Sequence, residues 1–288
     1  MLKNLPEQSK GFLLDLINYI FKEGVLPEDW KLAHIIPILK KDKDPLDPKS
    51  YRPISLLSCL SKILGKILNC RLVWFLETND CLHKSQNGSR KGRSPLFNLL
   101  DLENEIHDAF LQNKLLVTIF FDLEKAYDTC WGYLILRELY DFGLRGNLPT
   151  YIENYLSERQ FQVRVGNKLS RTFTTEMGVP QGGILSVTLF IIAMNTVTKH
   201  INNKFTFGIF VDDLRVSYLA SLVSGAQRQL NLLLKEFLVW MNETGFRFST
   251  TKTKAIIFRR GRWPDLENTD LKLRLGNSDI EVVEKINF

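Results

Sequence analysis

Phe207-Gly208-Ile209-Phe210-Val211-Asp212-Asp213-Leu214 sets two adjacent carboxylates between apolar runs. Apolar stretches on either side of a short polar break read as the two strands of a hairpin, with the Asp pair at its tip. Neighbouring carboxylates repel each other, and desolvating them without a cation is costly. A β-turn explains such a pair in ordinary cases, because Asp is a common turn residue. Here Phe210-Val211 and Leu214 leave little room for a solvent-exposed turn, and metal binding is the favoured reading. Asp122 lies 90 residues upstream, at the end of the apolar run Leu115-Leu116-Val117-Thr118-Ile119-Phe120-Phe121. By itself an Asp closing a strand reads as a cap for the next turn. Together, three carboxylates on two neighbouring strands make an oxygen-rich cage suited to Mg²⁺. That is the equipment of two-metal phosphoryl transfer.

Composition allows this chemistry and excludes several others. The chain has 288 residues, 44% hydrophobic and 24% charged, enough for a substantial core and two subdomains. Its net charge is +6, but Lys31–Arg93 holds 13 Lys/Arg against 5 Asp/Glu, so the remainder sums to −2. A basic lobe beside a nearly neutral one suits a phosphate-rich partner, although a charge run is more often a solvated face. Cys59, Cys70, Cys81 and Cys130 form no Cys-x-x-Cys pair, and the four histidines have no zinc spacing, so free thiols are expected. No stretch has the length of a membrane span, and Met1-Leu2-Lys3-Asn4-Leu5-Pro6 lacks the apolar run of a signal peptide. A nuclear or cytoplasmic location follows by elimination.

Periodicity predicts a helix over Phe12–Phe21 through Phe12, Leu16 and Ile20, stopped by Gly24 and Pro27. A strand over Ala33–Leu39 leads into the charged loop Lys40–Lys49. Further helices are predicted over Ser58–Glu77, from Ser94-Pro95 with Leu96, Leu99, Leu100, Ile106 and Phe110 inward, and over Trp131–Phe142. Gln160–Val165 alternates like a strand before the Gly166-Asn167 turn. A long helix over Ile184–Ile201, another over Gln227–Asn242 with Leu230, Leu233, Leu234, Phe237 and Trp240 buried, and a strand over Ala255–Phe258 complete the pattern. Helices and strands mix without regular β-α-β alternation, so the expected class is α+β.

Four more segments carry candidate chemistry. Phe121-Asp122-Leu123-Glu124-Lys125-Ala126-Tyr127-Asp128 brings Tyr127 close behind Asp122; a core aromatic is the plain alternative. In Gly178-Val179-Pro180-Gln181-Gly182-Gly183, glycines let backbone approach a ligand just before a helix. Gln181 has the amide to read a sugar or base edge. Lys252, just before the last strong strand, can pair with or protonate a leaving pyrophosphate, although a lone Lys is usually a solvated one. Lys40, Lys41, Lys43, Lys49, Arg52, Arg90, Lys91 and Arg93 form a basic lobe whose arginines can clamp phosphates. Each signal is modest alone; their order along the chain is what carries weight.

In that order the sequence resembles the reverse transcriptases of non-LTR retrotransposons, the Jockey-like LINE elements of animals. The likeness covers nearly the whole chain, through Leu26-Pro27-Glu28-Asp29-Trp30, Ile35-Ile36-Pro37-Ile38-Leu39, Tyr51-Arg52-Pro53-Ile54-Ser55-Leu56-Leu57 and the segments around Asp122, Gln181, Asp212 and Lys252. The resemblance implies a right-hand polymerase: fingers over 1–115, and 116–288 mainly palm with fingers elements interleaved. It implies two Mg²⁺ (Mn²⁺ as an alternative) on Asp122, Asp212, Asp213 and the backbone carbonyl of Leu123. Tyr127 takes the steric-gate position against a ribonucleotide 2′-hydroxyl. Gln181 and Gly182 line the nucleotide pocket, Arg52 and Lys40 reach the triphosphate, and Lys252 is the acid for pyrophosphate departure. The implied partners are an RNA template, a DNA primer and dNTP.

The sequence departs from the family pattern at Gly183 (usually Ser), Val187 (Pro), Val211 (Ala) and Ser249 (Asn), and Ser89 and Pro95 interrupt the second fingers motif. No metal ligand is lost. The chain stops at Val283-Glu284-Lys285-Ile286-Asn287-Phe288, where the family continues into the primer grip and thumb. The expectation is therefore a fragment truncated before the thumb, without the element's endonuclease, whose hold on primer–template is weak because backbone contacts supply much of that affinity. The competing readings are an inactive fragment that keeps only nucleic-acid binding, a non-catalytic binding module and, less well supported, a metal nuclease.

Overall fold

Apolar runs punctuated by Gly, Pro and Asp divide the chain into nine helices and twelve strands among the described residues. The computed structural model describes residues 4–261 and 271–285. Met1-Leu2-Lys3 and Ile286-Asn287-Phe288, both used above, lie outside them. The helices are α1 (Glu7–Glu23), α2 (Glu28–Lys31), α3 (Cys59–Thr78), α4 (Pro95–Leu111), α5 (Ala126–Thr129), α6 (Gly132–Asp141), α7 (Asn147–Leu156), α8 (Ser186–Asn195) and α9 (Val223–Thr244). The longer strands are β1 (Leu32–Leu39), β2 (Tyr51–Leu56), β3 (Leu115–Phe121) and β4 (Arg159–Val165). Short β5 (Lys168–Leu169) and β6 (Phe173–Thr175) precede β7 (Thr206–Phe210), β8 (Asp213–Ala220) and β9 (Lys254–Phe258). The chain ends in β10 (Arg274–Leu275), β11 (Ser278–Asp279) and β12 (Glu281–Val282). No helix among the described residues is long and apolar enough to cross a membrane.

Two compact units form, each from two segments. One takes residues up to Cys81 with Cys130–Phe190; the other takes Leu82–Thr129 with the residues from Ile191 on. The first unit carries the sheet β2-β1-β4-β5, with β6 on β4. β4 runs parallel to β1 over Leu32–Ile35 only, and Pro37 falls beyond that pairing, opposite Pro53 of the edge strand β2. Neither proline has an N–H to give, so the ladder's bonds fall on the flanking pairs.

The second unit carries the sheet β12-β9-β3-β8-β7. β3 lies at its centre, and all seven residues are buried. That is why its sequence is a continuous apolar run rather than an alternating one. Its one hydroxyl, Thr118 Oγ1, meets Ser217 Oγ across the β3–β8 ladder at 2.9 Å, which satisfies both buried groups. One face of the sheet is covered by α9, where Leu230, Leu233, Leu234, Phe237 and Trp240 are buried as the periodicity predicts. Phe121 at the end of β3 packs on Phe237 and Phe248, with ring centroids 5.2 and 4.7 Å away.

Three helical readings need correction. In α1 the buried residues are Ile17 and Ile20, while Phe12 and Leu16 stay exposed, because the C-terminal half of the helix is the part that finds a cover. In α4 the buried residues are Leu102 and Ala109, with Ile106 packed beside them; Leu96, Leu99 and Leu100 are exposed. Ala109 is small enough to sit against Leu116 and Phe120 of β3, and that choice turns the larger leucines outward. The helix expected over Ile184–Ile201 is α-helical only over Ser186–Asn195, then tightens to a 3₁₀ turn over Thr196–His200.

α4 is tied to β8 by an ion pair. Arg215 donates to both Glu105 oxygens at 2.9–3.1 Å, with side chains 6% and 16% exposed. Breaking such a pair on one side leaves a charge buried without compensation, at about 3–5 kcal/mol, whereas replacing both by apolar groups is often neutral. Glu105→Gln is therefore expected to lower the urea unfolding free energy by about 2–4 kcal/mol. Glu105→Leu with Arg215→Met should recover most of the loss. Equal stabilities of the parent and Glu105→Gln would contradict this account.

Candidate active site

β3 and β8 run antiparallel from Leu115↔Ala220 to Phe121↔Leu214. One residue beyond the last pair on each strand stand Asp122 and Asp213, so the register brings them face to face. The β7–β8 hairpin closes on the pair Phe210↔Asp213, which leaves Val211 and Asp212 as its two-residue turn. Val211 has φ +59° and Asp212 does not share it, so the first central residue alone is left-handed. A β-branched residue there is strained by about 1–3 kcal/mol, and such strain persists only where the surroundings impose it.

Asp122 is held through its backbone. Its carbonyl accepts from Ser249 N–H at 2.7 Å, and Glu124 N–H donates to the Arg247 carbonyl at 2.8 Å. This makes Leu123 and Phe248 an isolated antiparallel bridge closed by their neighbours, and the Leu123 carbonyl takes no part in it. Lys252 Nζ donates to Asp122 Oδ2 at 2.9 Å. Tyr127 follows on the short α5, half-buried. Asp122, Asp213 and Lys252 border a cavity walled by Leu99, Leu102, Phe120 and Phe210.

The carboxylates strain one another electrostatically. Burial, then the charges of Asp212 and Asp122, push Asp213 up from 3.8 to about 6. Burial also raises Asp212; its own backbone N–H opposes the rise, Asp122 adds to it and Lys252 relieves it. No three His, Cys, Asp or Glu side chains among the described residues are gathered as a ready metal cage. With Lys252 drawn onto Asp122, the acids are close neighbours balanced by an ammonium.

The first unit holds the remaining candidates. Arg52 is exposed on β2, opposite Ile38 of β1. Lys40 follows β1, its Nζ donating to the Lys49 carbonyl at 3.1 Å. The Gln181 carbonyl accepts from Ser55 N–H at 2.7 Å, which ties the Gly178–Gly183 loop to β2. Gly182 has φ +118°, and a Cβ there would stand 2.8 Å from the Ser55 carbonyl oxygen, so this approach needs glycine. The four residues Lys40, Arg52, Gln181 and Gly182 thus share one sheet edge and its attached loop.

A model of the reverse transcriptase (RNA-dependent DNA polymerase) family matches residues 38–281. The chain belongs to the reverse transcriptase family. It is 29% identical over 88% of its length to a probable RNA-directed DNA polymerase from transposon BS of Drosophila melanogaster. It is 28% identical over 90% of its length to the RNA-directed DNA polymerase from mobile element jockey of the same fly. These relatives are much longer: the chain spans 28% of the first and 29% of the second. Both come from non-LTR retrotransposons, the class that the sequence resembles. Among solved structures, apo telomerase from Candida tropicalis matches with a TM-score of 0.54 at 14% identity, over 89% of this chain and 56% of that one. Telomerase from Candida albicans, in complex with a fragment of telomeric RNA, gives 0.55 at 14%, over 90% and 46%. The likeness is one of fold, the right-hand polymerase fold.

One departure of this chain from the family pattern finds a physical reason. A Cβ at Gly183 would meet the Tyr155 hydroxyl at 2.4 Å and Ser186 Oγ at 2.5 Å. Glycine at 183 is thus matched to the buried Tyr155, which approaches Ser186 Oγ at 3.5 Å. Two members of the basic lobe have structural employment. Arg90 is 7% exposed and donates to the His83 and Gln86 carbonyls, and Arg93 donates to the Lys84 carbonyl and Asn87 Oδ1. These arginines fix backbone rather than present themselves to phosphate. The residues they support, Gln86 to Gly88, pack on the Asp212 turn and escaped the sequence reading. Gln86 meets Val211 across 125 residues of chain, and no local signal marks it.

Reverse transcriptases generally use divalent metal ions, and this donor set fits one: two carboxylates raised by burial and by neighbouring carboxylates, beside a third that already holds a cationic group. The pH sign follows. A carboxyl raised in the fold stabilises it fully below its ordinary value, and that contribution disappears as pH rises through about 6. Solvent reaches Asp213, so screening keeps the effect small. In EDTA, the melting temperature of the parent chain should fall between pH 4 and pH 7 relative to that of Asp213→Asn. Millimolar Mg²⁺ should reverse the difference above pH 6 in the parent only. Identical pH profiles with and without Mg²⁺ would speak against a cation site.

Proposed function

We propose that this chain is the core of an RNA-directed DNA polymerase of the non-LTR retrotransposon type, which adds dNTPs to a primer 3′-hydroxyl by two-metal nucleotidyl transfer. The observation that carries the reading is the β3–β8 register, which sets Asp122 and Asp213 face to face with Asp212 adjoining. Asp122, Asp212, Asp213 and the Leu123 carbonyl would hold two Mg²⁺ ions, with Mn²⁺ as a substitute. When bound, the ions supply charge neutralisation at the α-phosphate and the departing pyrophosphate.

The chain's own groups have separate tasks in this reading. The primer O3′–Pα bond forms as the hydroxyl proton is lost to solvent, the bond from Pα to the bridging oxygen breaks, and pyrophosphate leaves. Lys252, whose ammonium donates to Asp122 at 2.9 Å, would give its proton to the departing pyrophosphate. Tyr127 stands five residues beyond Asp122 as the gate against a 2′-hydroxyl. Arg52 and Lys40 receive the triphosphate, and Gln181 and Gly182 line the nucleotide pocket. RNA template and DNA primer are held largely through phosphate by the basic stretch Lys31–Arg93, apart from the two arginines that fix backbone, Arg90 and Arg93.

Fingers over 1–115 and palm mainly over 116–288, with fingers elements interleaved, remain the assignment we favour. Interleaving is supported by Cys130–Phe190 joining the unit of β1 and β2. Residues 82–115 fall instead in the unit that carries the sheet of β3 and β8, so the boundary is not a single cut.

Single-nucleotide extension of a DNA primer on an RNA template with Mg²⁺ tests the reading. Asp212→Asn with Asp213→Asn should lose extension on the order of 10³-fold, the worth of several kcal/mol of metal-borne charge stabilisation. Tyr127→Ala should raise ribonucleotide use relative to dNTP by at least about tenfold, the scale of discrimination a pocket wall supplies. Folded parent protein that binds template in a manner indifferent to Mg²⁺ and to Asp212, and that extends nothing, would instead mark a nucleic-acid-binding module.

A further inference from the structure

We infer that Gln86 is a positioning residue for the catalytic hairpin: its side-chain oxygen holds the Val211 N–H, and with it the peptide that enters the turn bearing Asp212 and Asp213. The inference rests on the metal-binding reading for its consequence, though not for its geometry. Gln86 is completely buried. Its Oε1 accepts from Val211 N–H at 3.1 Å and from Gly88 N–H at 2.8 Å. Two backbone donors converge on one amide atom, which fixes that atom as the oxygen. The Nε2 faces away without a hydrogen-bond partner among the described residues. A buried amide that leaves its donor end unpaired is held for its acceptor end.

The surrounding chain makes this a built anchor. Ile209 N–H donates to the Ser85 carbonyl at 2.9 Å, and Asn87 N–H to the Ile209 carbonyl at 2.8 Å, so Gln86 bridges Ile209 like a short parallel strand. Gly88 then passes so close that a Cβ would stand 2.2 Å from Val211 N and 2.6 Å from its Cγ2. A β-branched residue at φ +59° gains nothing by itself from that conformation. The bond to Gln86 fixes the Phe210–Val211 peptide plane, and with the hairpin closed at Phe210↔Asp213 the chain turns back from that plane through the left-handed Val211. With Val211 held on one side and the pair Phe210↔Asp213 closing the hairpin on the other, the backbone of Asp212 is confined between two fixed points. Groups outside a metal's own ligands commonly change affinity or activity 10–100-fold when lost.

The test uses the 288-residue chain without nucleic acid. Gln86→Leu keeps the volume and removes the acceptor; Gln86→Glu keeps the acceptor. Hydrogen exchange at the Val211 amide reads the anchor directly, and titration with Mn²⁺ alone reads its consequence. We expect Val211 protection to be lost in Gln86→Leu and kept in Gln86→Glu. Mn²⁺ affinity should fall about tenfold or more in Gln86→Leu, with near-ultraviolet circular dichroism unchanged. Should Gln86→Leu not fold, Gly88→Ala displaces the same turn with Gln86 intact and should weaken Mn²⁺ equally. Unchanged Val211 protection in Gln86→Leu, or unchanged Mn²⁺ affinity in whichever of Gln86→Leu and Gly88→Ala folds, overturns the inference. If Mn²⁺ binding ignores Asp212→Asn with Asp213→Asn, the metal reading fails, while loss of Val211 protection still supports the anchor.

Discussion

The register of β3 against β8 is the constraint on which the site depends. Because side chains alternate along a strand, a slip of one residue would turn every buried side chain of β3 to the opposite face. It would also carry Asp122 away from Asp213. Several features resist that slip: the Thr118–Ser217 hydroxyl pair in the middle of the ladder, the aromatic packing of Phe121 on Phe237 and Phe248, and the Glu105–Arg215 ion pair. Their common effect is to make a two-strand coincidence at the sheet's end reproducible to the residue.

That coincidence is electrostatically unfavourable, and the protein tolerates it by two means. Lys252 neutralises Asp122, and solvent reaches Asp213. The balance is loose: burial and like charges still raise both Asp212 and Asp213. A site made fully comfortable by built-in cations would have no use for a diffusing one. Leaving the acids partly uncompensated makes a divalent ion a stabilising ligand, which links metal affinity to fold stability through the same repulsion.

The sequence makes the strand-borne half of this arrangement readable, and the reason is local. Leu115–Phe121 and Ala255–Phe258 are apolar enough to announce buried strands, α9 keeps its period of 3.6, and each acid follows its strand directly. Long-range placement is what sequence conceals. The parallel pairing of β4 with β1 joins segments more than a hundred residues apart, and its short overlap has no compositional mark. The helix α7 is masked in the sequence by Pro149 near its start, which reads as a loop signal although proline is tolerated in a first turn. The edge strand β2 carries a family motif but no strand signal of its own, since Pro53 argues against a strand in all but an edge position. In α4 the period is plain but its phase is not. Alanine at 109 selects the buried face by fitting against β3, and nothing in the helix itself says that the smaller residue faces inward.

The same limit explains why the basic lobe misleads. Charge along a sequence says how many cationic groups a segment has, not where their hydrogens go. Arg90 and Arg93 carry charge suited to phosphate, yet their guanidinium groups cap carbonyls of the His83–Asn87 segment. Once buried, an arginine must place its donors, and backbone carbonyls of a turn that leads nowhere regular are the nearest acceptors. That segment in turn presses Gly88 and Gln86 on Val211. A run of charge that looks like a surface for ligand is, in part, the internal scaffolding of the turn that bears Asp212. The two readings separate only when the far end of each hydrogen bond is known.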